Sequence, residues 1–243
     1  MSIMGANMHQ SQANNIDKRQ DASLPNNNCI IVGTSGSGKS AFMRGELKKI
    51  SKVQKVTRII AWDPDEDYKI ARVRDMKTFQ KVCQKAGFGK VRVALTVAPN
   101  EENFEMFAAI VFAMCHCKAP LVCIADEIAD VTRIAKASPH WGELCRKIRK
   151  YGGTLYALTQ RPQECDKTIF NQVKFKWCGA LGSHKSYKHM AEELDLKLVD
   201  IKQLENIEKK QVEYWFREGV KGTEKYRMTF SPHKTIKLQK NIN

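Results

Sequence analysis

The chain has 243 residues, of which 42% are hydrophobic and 28% charged, with a formal net charge of +15. That length and apolar content exclude a disordered polymer and fit one α/β domain with modest additions. No apolar run is long enough for a signal peptide or a bilayer span, so a soluble, internal protein is expected.

Residues 1–27 are rich in Asn, Gln, Ser and Met and lack hydrophobic periodicity. They read as a mobile leader ending at Pro25-Asn26-Asn27. Cys29-Ile30-Ile31-Val32 is a short apolar run ahead of glycines, as a buried strand would be. A helix is predicted from Lys39 to about Val53, a strand over 56–62, a helix over 74–86 and a strand over 91–97. Residues 101–117 read as a helix with Glu101 and Glu102 in its first turn, where acidic groups complement the dipole. Leu121-Val122-Cys123-Ile124-Ala125 is a second buried strand. A helix over 141–151 stops at Gly152-Gly153, and a strand over 154–159 follows.

Strands alternating with helices imply a mostly parallel sheet covered on both faces. After Val173 the rhythm changes to a strand over 173–181, helices over 185–194 and 199–209, and a β-hairpin of 211–217 with 224–230. The chain therefore divides into a leader (1–27), a core (28–181) and a helical and hairpin extension of the same domain (182–243).

The eight cysteines form no C-x-x-C pair and mostly lie in apolar runs, the pattern of reduced, buried thiols. Cys115-His116-Cys117 has the residue types of a metal site. Neighbours two apart on a helix point away from each other, and no second ligand pair follows at zinc spacing, so a core helix is the better reading. The positive charge is spread along the chain and suits a surface or channel facing a polyanion such as nucleic acid.

Gly33-Thr34-Ser35-Gly36-Ser37-Gly38-Lys39-Ser40 matches G-x-x-x-x-G-K-S/T in full, with a strand before it and a helix after. Glycines let backbone N–H groups turn inward around phosphate oxygens at a helix N-terminus. In such a loop Lys39 reaches the β- and γ-phosphates of ATP and Ser40 ligates Mg²⁺. A second carboxylate site is then required at the end of a neighbouring buried strand. Asp126 supplies it, holding Mg²⁺ through a water, and Glu127 beside it suits a general base for the attacking water. An acidic pair after a strand is otherwise an ordinary helix cap. Gln160 closes the next strand, where its amide could contact the γ-phosphate or its water.

Together with the loop, the ordered set Ala61-Trp62-Asp63-Pro64-Asp65, Ile124-Ala125-Asp126-Glu127, Arg149-Lys150-Tyr151-Gly152-Gly153-Thr154-Leu155 and Leu158-Thr159-Gln160-Arg161-Pro162 resembles the FtsK/HerA superfamily of DNA-pumping ATPases. Within it, the likeness is to the genome-packaging ATPases of tailless, internal-membrane viruses, and it covers about residues 28–181. The resemblance implies a RecA-like core with an additional strand, assembled as a homo-hexameric ring around double-stranded DNA. It places ATP between subunits, Gln160 as a sensor, and an arginine of the adjacent subunit at the γ-phosphate. Arg146 and Arg149 are the candidates for that arginine, with Arg161 behind them. Asp63 and Asp65 match the family's acidic turn after the second strand, although an ordinary turn explains them equally. A location in the host cytoplasm or on the virion follows, with capsid vertex or portal proteins as further partners.

Two other functions share the loop. A nucleotide or small-molecule kinase does not need Glu127, and no arginine-rich lid is evident. Phage assembly or secretion ATPases commonly carry a membrane-spanning segment. Residues after 95–100 and within 167–188 are candidate DNA contacts, which would grip phosphates without reading bases.

Overall fold

The computed structural model describes residues 18–52, 56–134, 136–204, 211–229 and 237–240. In chain order these form β1 (Cys29–Val32), α1 (Lys39–Lys52), β2 (Arg58–Trp62), β3 (Ala71–Val73), α2 (Met76–Ala86), β4 (Val91–Leu95), α3 (Glu101–Met114) and β5 (Leu121–Ala125). Then come α4 (Pro139–Lys147), β6 (Gly153–Thr159), α5 (Lys167–Gln172), β7 (Phe175–Cys178), α6 (His184–Leu194), α7 (Leu198–Ile201), β8 (Gln211–Glu218), β9 (Thr223–Thr229) and β10 (Lys237–Lys240).

Among the described residues the strands make one sheet in the order β10-β9-β8-β7-β1-β6-β5-β2-β4-β3. From β7 to β3 every pairing is parallel. The hairpin β8–β9 joins β7 in antiparallel fashion, and β10 continues beyond it, so the C-terminal segment extends the same sheet. The α/β architecture expected from the sequence is therefore present, with β6 inserted between β1 and β5.

The central strands are mostly apolar because both faces are covered, and Arg58 at the start of β2 is buried with its guanidinium bonded to the carbonyls of Gly87, Met114 and Ala119. β1, β2 and β5 are buried throughout. Alternate residues feed two cores. Ile30 and Val32 pack with Phe79 of α2, Phe104 and Phe107 of α3, Trp141 of α4, Ile169 of α5 and Met190 of α6. Cys29 and Ile31 point the other way, to Phe42, Met43 and Ile50 of α1 and to Trp177 and Tyr214. Helix starts are set by side-chain caps, Asp75 for α2, Asn100 for α3 and Ser183 for α6, each worth about 1 kcal/mol.

Several elements differ from the sequence reading. The strand β3 was not expected; three residues at a sheet edge carry too little pattern to register. Residues 115–117 are not helical: Cys115 caps α3, and His116 makes an isolated bridge with Ala119. The helix expected over 141–151 is α4 followed by a 3-10 turn, Ile148–Tyr151. Of the helix expected over 199–209, only Leu198–Ile201 is seen, and 205–209 lie outside the described residues.

The last ten residues of the expected mobile leader are tied to the body, while residues 1–17 lie outside the described residues. Asp21 N donates to Lys150 O (2.7 Å), and Arg19 O accepts from Cys117 N (2.8 Å). The Arg19 guanidinium sits 5.3 Å from the Tyr151 ring centroid. Asn26 Nδ2 reaches Gln172 O (3.0 Å). The composition of 18–27 is that of a loop, but its backbone finds carbonyl and amide partners along the edge where β6 begins.

Candidate active site

Parallel strands deliver their C-terminal ends to one edge of the sheet, and that edge holds the site. Val32 pairs with Thr159 and Ala125 with Ala157, so the loop after β1, Gln160 after β6 and Asp126-Glu127 after β5 emerge side by side. A cleft of about 470 Å³ brings together Thr34, Ser35, Gly36, Gly38, Lys39, Ser40, Asp126, Glu127 and Gln160. It also takes in Arg44, Asp65 and Asp67.

The loop itself is built on backbone that only glycine adopts easily. Gly36 and Gly38 have φ of 76° and 96°. At Gly33 a Cβ would lie 2.3 Å from Ser37 Oγ, so the chain can close over buried Ser37 only with glycine there. Thr34 N donates to Ala180 O (2.8 Å), which fastens the loop to the segment after β7. The first N–H groups of α1 have no carbonyl before them within the helix and face the cleft as anion donors.

Lys39 is buried. Its Nζ donates to Gly33 O (2.7 Å) and lies 3.9 Å from Glu127 Oε1. Burial lowers its pKa, against the opposing pull of Glu127 and Asp126. Glu127 takes a left-handed backbone, φ 46° and ψ 53°, which is uncommon for a residue with a side chain. Its Oε2 accepts from Gln160 N (3.3 Å). One carboxylate thus touches both the loop lysine and the strand carrying Gln160.

Asp126 is also buried. Its Oδ1 accepts from Glu127 N (3.0 Å) and its Oδ2 from the Tyr68 hydroxyl (2.7 Å). Burial raises its carboxyl pKa to about 7, with the Tyr68 hydrogen bond opposing that rise. Ser40 Oγ donates to Asp67 Oδ2 (2.6 Å). The Ser40 hydroxyl and the Asp126 carboxylate at this end of the cleft are hard oxygen donors of the kind Mg²⁺ takes, and Asp67 stands behind Ser40. The residues present therefore fit the ion.

The acidic turn after β2 has a specific architecture. Asp63 is fully buried, and its oxygens accept from Asp67 N (2.8 Å), Tyr68 N (3.3 Å) and Arg72 Nη2 (3.1 Å). Asp63 therefore organises the turn, while Asp65 and Asp67 line the cleft. The sequence reading weighed Asp63 and Asp65 and passed over Asp67 and Tyr68. The run Asp63-Pro64-Asp65-Glu66-Asp67 was visible, but nothing local marks which carboxylate meets Ser40.

The arginines fall in three places. Arg146 is exposed in the last turn of α4. Arg149 lies in the following 3-10 turn, and its Nη1 donates to Ala22 O (2.9 Å) and Leu24 O. Both precede β6 and so stand at the opposite edge of the sheet from the cleft of their own chain. Arg161 follows Gln160, pairs with Asp130 and with Glu164 (2.7 Å), and lines a second cavity that shares Thr34, Asp65, Glu127 and Gln160 with the first.

A scan against protein-family models finds no match. The fold is shared with the genome packaging NTPase B204 of Sulfolobus turreted icosahedral virus 2, seen in complex with AMPPCP. The TM-score is 0.64 at 17% identity, covering 90% of this chain and 99% of that one. It is also shared with VirB4 of Thermoanaerobacter pseudethanolicus, at a TM-score of 0.53 and 12% identity over 85% and 90% of the two chains. At these identities the likeness is one of fold, that of a RecA-like P-loop NTPase. Protein P9 of Pseudoalteromonas phage PM2 is 55% identical over 213 residues, covering 88% of this chain and 95% of that protein. With more than half of 213 aligned residues identical, the chain belongs to the family of the phage PM2 Protein P9.

Proposed function

We propose that this protein is an ATP-hydrolysing motor that moves double-stranded DNA into a viral capsid. The observation that carries the reading is the meeting of Lys39, Glu127 and Gln160 in one cleft beside Ser40 and Asp126. Membership of a phage protein family and a fold shared with a viral genome packaging NTPase support the packaging role.

The loop 33–40 binds the triphosphate through its inward N–H groups and Lys39, which exchanges Gly33 O for phosphate oxygens. Ser40 and Asp126 would hold Mg²⁺, which would neutralise charge on the phosphates. Glu127 accepts the proton of the attacking water. Gln160 contacts the γ-phosphate or that water, and its backbone link to Glu127 joins the two. The subunits form a hexameric ring of the FtsK/HerA kind, and an arginine of the adjacent subunit stabilises the leaving charge. Arg146, exposed at the end of α4, is the better placed for that task, because Arg149 is engaged with the N-terminal segment of its own chain and Arg161 with Asp130 and Glu164. Exposed lysines and arginines grip DNA phosphates without reading sequence, and capsid vertex or portal proteins are the further partners. Among the described residues no helix is long and apolar enough to cross a membrane. The place of action is the host cytoplasm or the virion.

The test is ATP hydrolysis with and without double-stranded DNA, with particles imaged in parallel. Several-fold stimulation that fades as salt rises, together with rings, is the expected result. Phosphate transfer to a small acceptor with no response to DNA would make the protein a kinase and end the motor reading.

A further inference from the structure

The two residues assigned to the metal do not stand alone. Ser40 Oγ donates to Asp67 Oδ2 (2.6 Å), and the Tyr68 hydroxyl donates to Asp126 Oδ2 (2.7 Å). Asp67 and Tyr68 are adjacent in sequence, yet they reach ligands on two different elements, the start of α1 and the end of β5. Their backbone N–H groups both donate to Asp63, whose carboxylate is fully buried and bonded to Arg72. Arg72 is fixed in turn by Thr96 Oγ1 (3.2 Å) and Tyr68 O (3.2 Å). The turn is thus anchored from below and presents two polar groups above.

We infer that the turn 63–68 is a positioning element, in which Asp67 orients the Ser40 hydroxyl and Tyr68 orients the Asp126 carboxylate before metal and nucleotide arrive. The inference rests on reading the cleft as a magnesium–ATP site. When the Ser40 proton points to Asp67, the oxygen lone pairs are left for a cation. When Tyr68 and Glu127 N each hold one oxygen of Asp126, that carboxylate has a single rotamer to offer. The Tyr68 hydroxyl is the donor in this bond, and it is held in place because the ring is buried. Partners behind a ligand of this kind change metal affinity by about 10–100-fold when removed. Neither residue is required for the phosphate cradle, which is made by the loop 33–40 and Lys39.

The experiment measures two quantities on the full chain. Mn²⁺, as a spectroscopic stand-in for Mg²⁺, is titrated in the presence of a non-hydrolysable ATP analogue and followed by electron paramagnetic resonance. A fluorescent ATP analogue is titrated separately in EDTA. Tyr68→Phe and Asp67→Ala should each weaken Mn²⁺ binding by about tenfold or more while leaving metal-free nucleotide affinity within about twofold. Asp67→Asn keeps an oxygen acceptor for Ser40 and should recover most of the Mn²⁺ affinity that Asp67→Ala loses. Unchanged Mn²⁺ affinity in Tyr68→Phe and Asp67→Ala would overturn the inference. So would a parallel fall of metal and metal-free nucleotide binding, which marks a merely structural turn. A wild-type protein that binds no ATP analogue under either condition would instead remove the ATP-site reading itself.

Discussion

Lys39 Nζ and Glu127 Oε1 lie 3.9 Å apart, brought together across β6 by strands that are not neighbours in sequence. Glu127 also accepts from Gln160 N, so the lysine, the carboxylate and the inserted strand form one connected unit before any phosphate is bound. If the loop binds a triphosphate as proposed, the phosphates would take Lys39 from Gly33 O and loosen its contact with Glu127. Binding and the release of the candidate base are therefore coupled by geometry.

Replacing Lys39 by Ala removes the only lysine lining the cleft among the described residues. Nucleotide affinity, read with a fluorescent ATP analogue, should fall by about a hundredfold or more, given that charge-assisted bonds to phosphate are worth about 1.5–3 kcal/mol each. The melting temperature should change little, because the lysine is buried at some cost and its two bonds are to loop carbonyls. Retained affinity would remove Lys39 from the phosphate site.

Glu127→Gln preserves shape and should bind ATP while turnover falls by about 10²–10⁴-fold, the usual contribution of a general base. Glu127→Gly should be as inactive but more stable, by about 1 kcal/mol, because glycine relaxes the left-handed backbone at φ 46°. Single-turnover hydrolysis and thermal melts measure the pair. Normal turnover in either variant would strip Glu127 of the base assignment.

Asp126 carries a stability cost with a definite sign. Its folded pKa, about 7, lies above the ordinary 3.8. Between these values the folded state therefore binds more protons than the unfolded one, and stability falls as pH rises from about 4 to 7. The metal-free protein should accordingly gain stability at pH 8 when Asp126 becomes Asn, by on the order of 2–4 kcal/mol, and lose part of its pH dependence. Denaturant titrations of both proteins in EDTA at pH 5 and 8 check this. Equal stability of the two at pH 8 would contradict it.

Arg149→Ala separates two roles. If the guanidinium acts as a clamp through Ala22 O and Leu24 O, its loss should expose 18–27 to limited proteolysis and leave single-chain nucleotide affinity intact. Hydrolysis lost without new cleavage would instead favour the role in trans.

The sequence was most legible where one physical constraint acts on consecutive residues. β1 and β5 are legible to the residue because each is an unbroken apolar run, as a strand buried on both faces favours. The loop 33–40 was legible because phosphate binding dictates glycines at fixed spacing. What was not legible depends on partners far along the chain. Asp67 and Ser40 are 27 residues apart, Tyr68 and Asp126 are 58 apart, and the bond from Arg149 to Ala22 spans 127. The Arg149-Lys150-Tyr151-Gly152 segment carries part of the family resemblance, yet its arginine and tyrosine both contact residues 19–24. Gly152, with φ 74° and a Cβ position 2.7 Å from His116 O, ends that segment for steric reasons that sequence alone shows only as a stop.

Residues 18–27 are seated on the side of the sheet away from the cleft. Arg19 and Asp21 join the body beside Cys117, Lys150 and Tyr151, at the rim where β5 and β6 begin, whereas Lys39 and Glu127 occupy the rim where those strands end. A label or cross-link attached at Arg19 or Asp21 would therefore sit on the far side of the sheet from the nucleotide entrance.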